Sequence, residues 1–125
     1  MSAISKVLRE AGSNGYRMLM FRCPGCKEAH GVSVSRPEGQ AGPVWGYNGN
    51  PDKPTFTPSI LVTGYRVSPE GEAMMDRGDP PPEGGRYPGS AFVCHSFVTD
   101  GRIQFLGDCT HALAWQTVDL PEIES

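Results

Sequence analysis

The chain has 125 residues, a formal net charge of −3 and 38% hydrophobic residues, which indicates one small domain with a modest core. It has no basic run and no acidic tail, so its charge argues against general binding to nucleic acid or to an anionic membrane. The 16 glycines and 12 prolines favour turns, short strands and ordered loops.

The sequence also indicates a cytoplasmic compartment. No apolar run approaches the roughly 20 residues that span a bilayer, and the N-terminus lacks the pattern of a signal peptide. Four cysteines could form two disulfides, but such bonds suit a secreted chain, whereas cytoplasmic thiols stay reduced.

Residues 2–11 predict a short N-terminal helix, because their apolar side chains would share one face and Gly12 could end it. These apolar side chains are Ile4, Val7, Leu8 and Ala11.

The next segment predicts a zinc-ribbon-like hairpin. Residues 16–22 form an apolar strand and residues 30–36 a half-exposed one, and the turn between them is Cys23-Pro24-Gly25-Cys26. A Pro-Gly turn aims both sulfurs at one point, and Zn²⁺ binds thiolates there without redox chemistry. A redox CxxC would need a helix after its first cysteine, and the strand pattern after Cys26 argues against one.

The middle of the chain alternates rigid and mobile segments. Three prolines fix a loop at residues 48–59, a strand follows at 60–67, and the Gly/Pro-rich residues 69–90 predict a mobile loop. Trp45 and Phe56 would either pack the core or offer a rigid aromatic surface to a protein partner.

Residues 91–106 predict the clearest hairpin, turning at Asp100-Gly101 and setting Phe97 opposite Gln104. The fold of this hairpin brings Cys94 and Cys109 to the same end. We therefore expect both cysteines to lie near one metal site.

Each late cysteine has a histidine beside it, which leaves a choice of metal ligands. The first choice is Cys23, Cys26, Cys94 and His95, with Cys109 and His111 in reserve. Adjacent residues on an ideal strand point to opposite faces, so ligation by both Cys94 and His95 requires a bulge. Each histidine could instead be a hydrogen-bonded residue without a metal.

A catalytic interpretation needs an open metal position with an acid or base near a bound water. Asp108, His111 and His30 could serve in a zinc-dependent hydrolase. A site with three thiolates favours a structural metal instead, and the chain has no P-loop and no Gly-x-Ser-x-Gly elbow. Copper monooxygenase chemistry would need more histidine ligands.

Five segments of the sequence form a recognisable combination. They are Cys23-Pro-Gly-Cys26 with His30, Pro54-Thr-Phe-Thr-Pro-Ser-Ile60, Cys94-His-Ser-Phe-Val98, Gly101-Arg-Ile-Gln-Phe-Leu106 and Asp108-Cys-Thr-His-Ala-Leu-Ala114. Together they resemble a family of small phage and prophage proteins of unknown function, often labelled ammonia monooxygenase. The resemblance covers most of residues 16–121 and implies a phage origin and a bound metal, but no activity. The chain departs from the family at Trp115, where glycine is expected.

We therefore expect a single mainly β domain over residues 1–125, a β-rich α+β fold with a small antiparallel sheet. It would bind Zn²⁺ and lack enzymatic activity. The expected function is that of a phage accessory protein in the host cytoplasm, which contacts a host defence complex or a virion component through Trp45, Phe56 and Trp115. The alternative is the zinc hydrolase that uses Asp108 and His111. The sequence leaves the oligomeric state open.

Overall fold

Two antiparallel sheets and a short helix make up the computed structural model, which describes residues 2–82 and 84–123. The first sheet has four strands in the order β1-β2-β3-β4, and the second has five in the order β5-β6-β7-β8-β9. The prediction of a mainly β fold is confirmed. Within the described residues, no helix has the length and apolar character that crossing a membrane requires.

The strands of the first sheet are β1 (Ser2–Ala3), β2 (Arg9–Ala11), β3 (Arg17–Cys23) and β4 (Glu28–Ser35). Those of the second are β5 (Gly46–Tyr47), β6 (Phe56–Val67), β7 (Gly89–Thr99), β8 (Arg102–Phe105) and β9 (Thr117–Asp119). The helix α1 spans Pro69–Asp76, between β6 and β7.

The predicted N-terminal helix is wrong, because residues 2–11 form the β1–β2 hairpin. Ser2 pairs with Glu10, and the hydroxyl of Ser5 accepts hydrogen bonds from the backbone N–H groups of Val7 and Leu8 in the turn. A helix this short is marginal in water. The hairpin instead buries Leu8 completely and adds β2 to the edge of β3.

The predicted CxxC hairpin is present as β3 and β4. Cys23 pairs with Glu28 across the turn, and the backbone N–H of Lys27 donates to the carbonyl of Cys23 at 2.8 Å. Further along the pair, Phe21 lies opposite His30. The local Pro-Gly turn therefore sets the position of both cysteines.

The predicted hairpin at Asp100-Gly101 is also confirmed. Both turn residues have positive φ, 50° and 77°, as a two-residue turn between right-twisted strands requires. Phe97 pairs with Gln104, as the sequence predicts.

Strand β6 begins four residues before its predicted start and contains a bulge. Phe56 pairs with Val98, and the next pair joins Ile60 to Ser96, so residues 57–59 of β6 have no partner in β7. Extra residues in one strand of an antiparallel pair bend that strand and re-aim its side chains. Ser59 lies in this bulge.

The prediction of a mobile loop at residues 69–90 is wrong for 69–76, which form α1, and for 89–90, which begin β7; residue 83 of that range lies outside the described residues. The hydroxyl of Ser68 accepts from the backbone N–H of Gly71, and Pro69 occupies the first turn, where its missing N–H costs little. Gly71 packs against Pro88 and Val67 so closely that a Cβ would lie 2.5 Å from each. The capped helix is thereby held at the end of β6.

The core lies between the inner faces of the two sheets. Its fully buried aromatic side chains are Phe21, Phe56 and Phe105, and the rings of Phe21 and Phe56 stack with centroids 6.3 Å apart. Burying each such side chain contributes about 1.5–3 kcal/mol. The outer face of the second sheet remains exposed, with Leu61 and Phe97 on it.

Candidate functional site

A serine, a histidine and an aspartate form a hydrogen-bonded chain on the outer face of the second sheet. The Oγ of Ser59 lies 3.0 Å from Nε2 of His95, and Nδ1 of the same ring lies 3.1 Å from Oδ2 of Asp108. In the tautomer with its proton on Nδ1, the ring donates to the carboxylate and accepts from the hydroxyl. This is the arrangement of a nucleophile, a general base and an orienting acid.

The sheet positions the serine and the histidine. His95 lies directly opposite Leu61 in the β6–β7 ladder, so Ser59 is its diagonal neighbour on the same face. The bulge at residues 57–59 and the indole of Trp45, which donates to the carbonyl of Ser59 at 3.3 Å, hold the serine there.

Cys109 joins the turn that carries Asp108 to the backbone of His95. Its Sγ accepts from the N–H of His95 at 3.2 Å and donates to the carbonyl of His95 at 3.2 Å. The backbone N–H of Leu106 also donates to that carbonyl, at 2.9 Å. These contacts fix the distance between the imidazole and the carboxylate.

The three side chains are accessible to a polypeptide. The side chain of His95 is 26% exposed and that of Asp108 is 54% exposed. Because Asp108 is in contact with water, its charge is screened, and its electrostatic effect on the imidazole is weaker than that of a buried carboxylate.

A second cluster lies on the inner side of β7, where the two sheets meet. Its members are Cys23, Cys26, His30 and Cys94, all buried, with ligand atoms that lie within 4.8 Å of one another. The CxxC turn supplies two thiols, β4 supplies the imidazole and β7 supplies the third thiol, 3.8 Å from Cys23. These residues could hold a metal ion.

The chemistry of this cluster fits a cation. The Nε2 of His30 is buried with no hydrogen-bond partner, which is costly unless another group binds it. The hydrogen bond with Cys94 lowers the pKa of Cys23 to about 4, burial raises the pKa of Cys26 to about 11, and the hydrogen bond with Cys23 raises the pKa of Cys94. Negative charge on one of these hydrogen-bonded thiols thus opposes ionisation of the others, whereas a bound metal would keep all of them deprotonated.

Cys109 and His111, the reserve ligands, lie beside this cluster and form a second group with Cys94. The Nε2 of His111 is 3.6 Å from the Sγ of Cys94, and a Cβ at Gly25 would lie 2.3 Å from the His111 ring. His111 therefore covers the CxxC turn, and Cys109 holds the backbone of His95.

The structure places His30, and not His95, beside the three thiols. Cys94 and His95 are neighbours on β7, and strand alternation turns the first inward and the second outward. No bulge is needed at this point, because the two residues belong to different sites. Of the three residues predicted for a hydrolase, Asp108 lies at His95, while His30 and His111 lie near the thiols.

The aromatic residues predicted as partner contacts lie in three different environments. Phe56 is 1% exposed and packs the core, so the prediction that it contacts a partner is wrong. Trp45 is partly buried and holds the carbonyl of Ser59. Trp115 is 82% exposed and has a φ of 70°, a conformation that favours glycine. This explains why glycine is expected at that position.

Ser59 is the candidate site residue that sequence reasoning missed. It does not lie within a Gly-x-Ser-x-Gly elbow, and a catalytic triad is defined by geometry and occurs in unrelated chain orders. The sequence did contain a signal for it. Ser59 ends the proline-fixed loop and lies within one of the five segments, and the same chain carries His95 next to Cys94 and carries Asp108.

The model of the family described as "Bacterial ubiquitination-like system serine protease (BubE)" matches residues 3–106. No curated protein and no solved structure matches the chain. The family match overturns the expectation of a phage accessory protein without enzymatic activity. It also overturns the alternative of a zinc hydrolase, because the family is one of serine proteases.

Proposed function

Because the chain belongs to the BubE family of bacterial ubiquitination-like system serine proteases, we propose that it hydrolyses polypeptides with Ser59 as its nucleophile. One observation carries this proposal: His95 lies 3.0 Å from the hydroxyl of Ser59 and 3.1 Å from the carboxylate of Asp108. The substrate class is a protein of a ubiquitination-like system, and the reaction is hydrolysis of an amide bond in it.

In this reaction His95 takes the proton from Ser59 as its Oγ attacks the carbonyl carbon of the substrate. The same imidazole then donates this proton to the departing amine, which leaves an ester on Ser59. Water, activated by His95, hydrolyses the ester and restores the hydroxyl. Asp108 accepts the hydrogen bond from Nδ1 throughout and keeps the ring in the tautomer with a proton on that nitrogen.

The negatively charged oxygen of the tetrahedral intermediate needs N–H donors. Ser59 has no register partner in β5 or in β7, because it lies in the bulge. We assign its backbone N–H as one donor to this oxygen. The bulge would then serve both to aim the hydroxyl outward and to keep this N–H available.

The metal would be Zn²⁺, held by Cys23, Cys26, His30 and Cys94. Three thiolates and one imidazole form a known tetrahedral zinc shell with no open position for substrate, so its role is structural. It ties the β3–β4 hairpin to β7 one residue away from His95, and thereby stabilises the strand that carries the catalytic base.

A cytoplasmic location is supported by the four cysteines, which are free thiols in the structure. Reduced thiols persist in that compartment.

A fluorophosphonate probe, which reacts with activated serines, tests the nucleophile. We expect the probe to modify the protein once, with the adduct mapped to Ser59 by peptide mass spectrometry. Ser59→Ala should abolish the adduct, and Ser90→Ala, which removes an exposed hydroxyl from β7, should leave it unchanged. Labelling that persists in Ser59→Ala would exclude the proposed nucleophile.

A further inference from the structure

One side of β6 is open next to the nucleophile. Strand β5 pairs with β6 only through Gly46 with Thr57 and Tyr47 with Phe56. From Ile60 onward β6 pairs with β7 on one side. Across residues 2–82 and 84–123, no strand pairs with its other side there.

The backbone of Leu61 faces this open edge. Its partner in the ladder, His95, directs its N–H to Cys109 and accepts from the N–H of Leu106, so His95 makes no ladder bond toward β6. In an antiparallel pair, two opposed residues either exchange both hydrogen bonds or both point away. The N–H and the carbonyl of Leu61 therefore point away from β7, to the edge of β6 beyond the end of β5.

The same reasoning applies to Thr63. Its partner Val93 donates its N–H to the hydroxyl of Thr110 and accepts from the backbone N–H of Thr110. Thr63 therefore also presents its N–H and its carbonyl to the open edge. Two residues with free donors and acceptors stand two positions apart, which is the spacing that an added strand bonds.

The open edge starts where the catalytic site ends. The indole of Trp45 binds the carbonyl of Ser59, and Leu61, two residues later, is the first position beyond this cover. At the far end, α1 lies against Val67. Leu61 is 58% exposed, so an apolar side chain is available beside the free backbone groups.

The position of His95 decides which part of a substrate reaches this edge. His95 approaches Ser59 from β7, and it must protonate the departing amine. The departing part of the substrate therefore lies over β7. The acyl part extends to the opposite side of Ser59, which is the open edge of β6.

We propose that the acyl side of the substrate binds as an extended strand added to the edge of β6 at Leu61 and Thr63. This inference rests on the proposed protease function and names the substrate form: an extended, unpaired polypeptide segment with an apolar side chain over Leu61. Main-chain hydrogen bonds supply the binding free energy, and the contact with Leu61 supplies the preference for an apolar substrate residue.

Two phosphonate probes test the edge. Acetyl-leucyl diphenyl phosphonate ends at the residue beside Ser59, while acetyl-trileucyl diphenyl phosphonate adds two residues that can reach the edge. The second-order rate of modification should be about tenfold higher for the longer probe, from the added hydrogen bonds.

Thr63→Pro and Thr63→Ala form a matched pair of variants. Proline removes the N–H that faces the edge and is tolerated there because that N–H makes no ladder bond, whereas alanine removes only the side chain. The longer probe should lose its advantage in Thr63→Pro and keep it in Thr63→Ala. Circular dichroism and the melting temperature establish that both variants are folded, and the advantage is taken as the ratio of the two phosphonate rates within the same variant.

The outcomes separate the two proposals. If no reagent modifies Ser59 in the wild type, the protease function fails. If the fluorophosphonate modifies it but the longer phosphonate has no advantage, or keeps its advantage in Thr63→Pro, the strand addition is refuted. A wild-type dimer that Thr63→Pro converts to a monomer in sedimentation would assign the edge to a second copy and overturn the proposal.

Hydrogen exchange of the backbone amides in the wild type tests the added strand without any variant, in case Thr63→Pro does not fold. We expect the N–H groups of Leu61 and Thr63 to exchange rapidly in the free protein and in the acetyl-leucyl adduct. They should become protected in the acetyl-trileucyl adduct. Unchanged exchange in that adduct would refute the added strand.

Discussion

Replacing Asp108 by asparagine should slow catalysis while leaving the fold intact. A hydrogen bond to a charged group contributes about 1.5–3 kcal/mol, and the 3.1 Å contact with His95 is of this kind. Asp108 is 54% exposed, so water screens its charge and the effect should fall in the lower part of that range. We therefore expect a loss of about 10- to 30-fold in rate, well below the factor of about 10⁴ measured where the aspartate is buried.

The assay is the second-order rate of fluorophosphonate labelling at Ser59, with the melting temperature measured on the same samples. Asp119→Asn is the matched control, because Asp119 lies on the same sheet, is 87% exposed and pairs with Arg102. It should label at the wild-type rate. An unchanged rate in Asp108→Asn would show that the carboxylate does not orient His95 and would refute the assigned role.

Two further predictions concern the metal cluster and Trp115. Chelation should release about one zinc per chain and unfold the protein, as measured by elemental analysis and circular dichroism. Structural zinc sites contribute about 10–16 kcal/mol, and the free energy of unfolding of a whole domain is about 5–15 kcal/mol. His30→Ala should lower the zinc content, and His111→Ala should not. Equal zinc content in both variants would exclude His30 as a ligand. Trp115→Gly should raise the free energy of unfolding, measured in urea, by about 1 kcal/mol, because glycine adopts a φ of 70° without strain. Trp115→Ala should bring no such gain. An equal change in the free energy of unfolding of both variants would refute the backbone strain at this position.

The sequence by itself determined the local parts of this protein. The Pro-Gly turn between Cys23 and Cys26 fixes, within four residues, a pair of thiols that could hold a metal ion. The Asp100-Gly101 turn fixes the hairpin that sets Phe97 opposite Gln104. These features depend on backbone conformations that a few neighbouring residues impose, and they were predictable for that reason. The N-terminal segment was not, because its apolar spacing fits a helix, whereas its pairing with β3 follows from burying Leu8 in the core shared by both sheets.

Only the tertiary structure decided which residues act together. Ser59 lies 36 positions before His95 in the chain, and Asp108 lies 13 positions after it. The bulge in β6, the ladder with β7 and the turn held by Cys109 bring them within hydrogen-bonding distance. The alternation of β7 sends Cys94 to the metal cluster and His95 to the catalytic face, although the two are adjacent in sequence. A strand directs neighbouring side chains to opposite faces, but which of them faces the core is determined by packing against the other sheet.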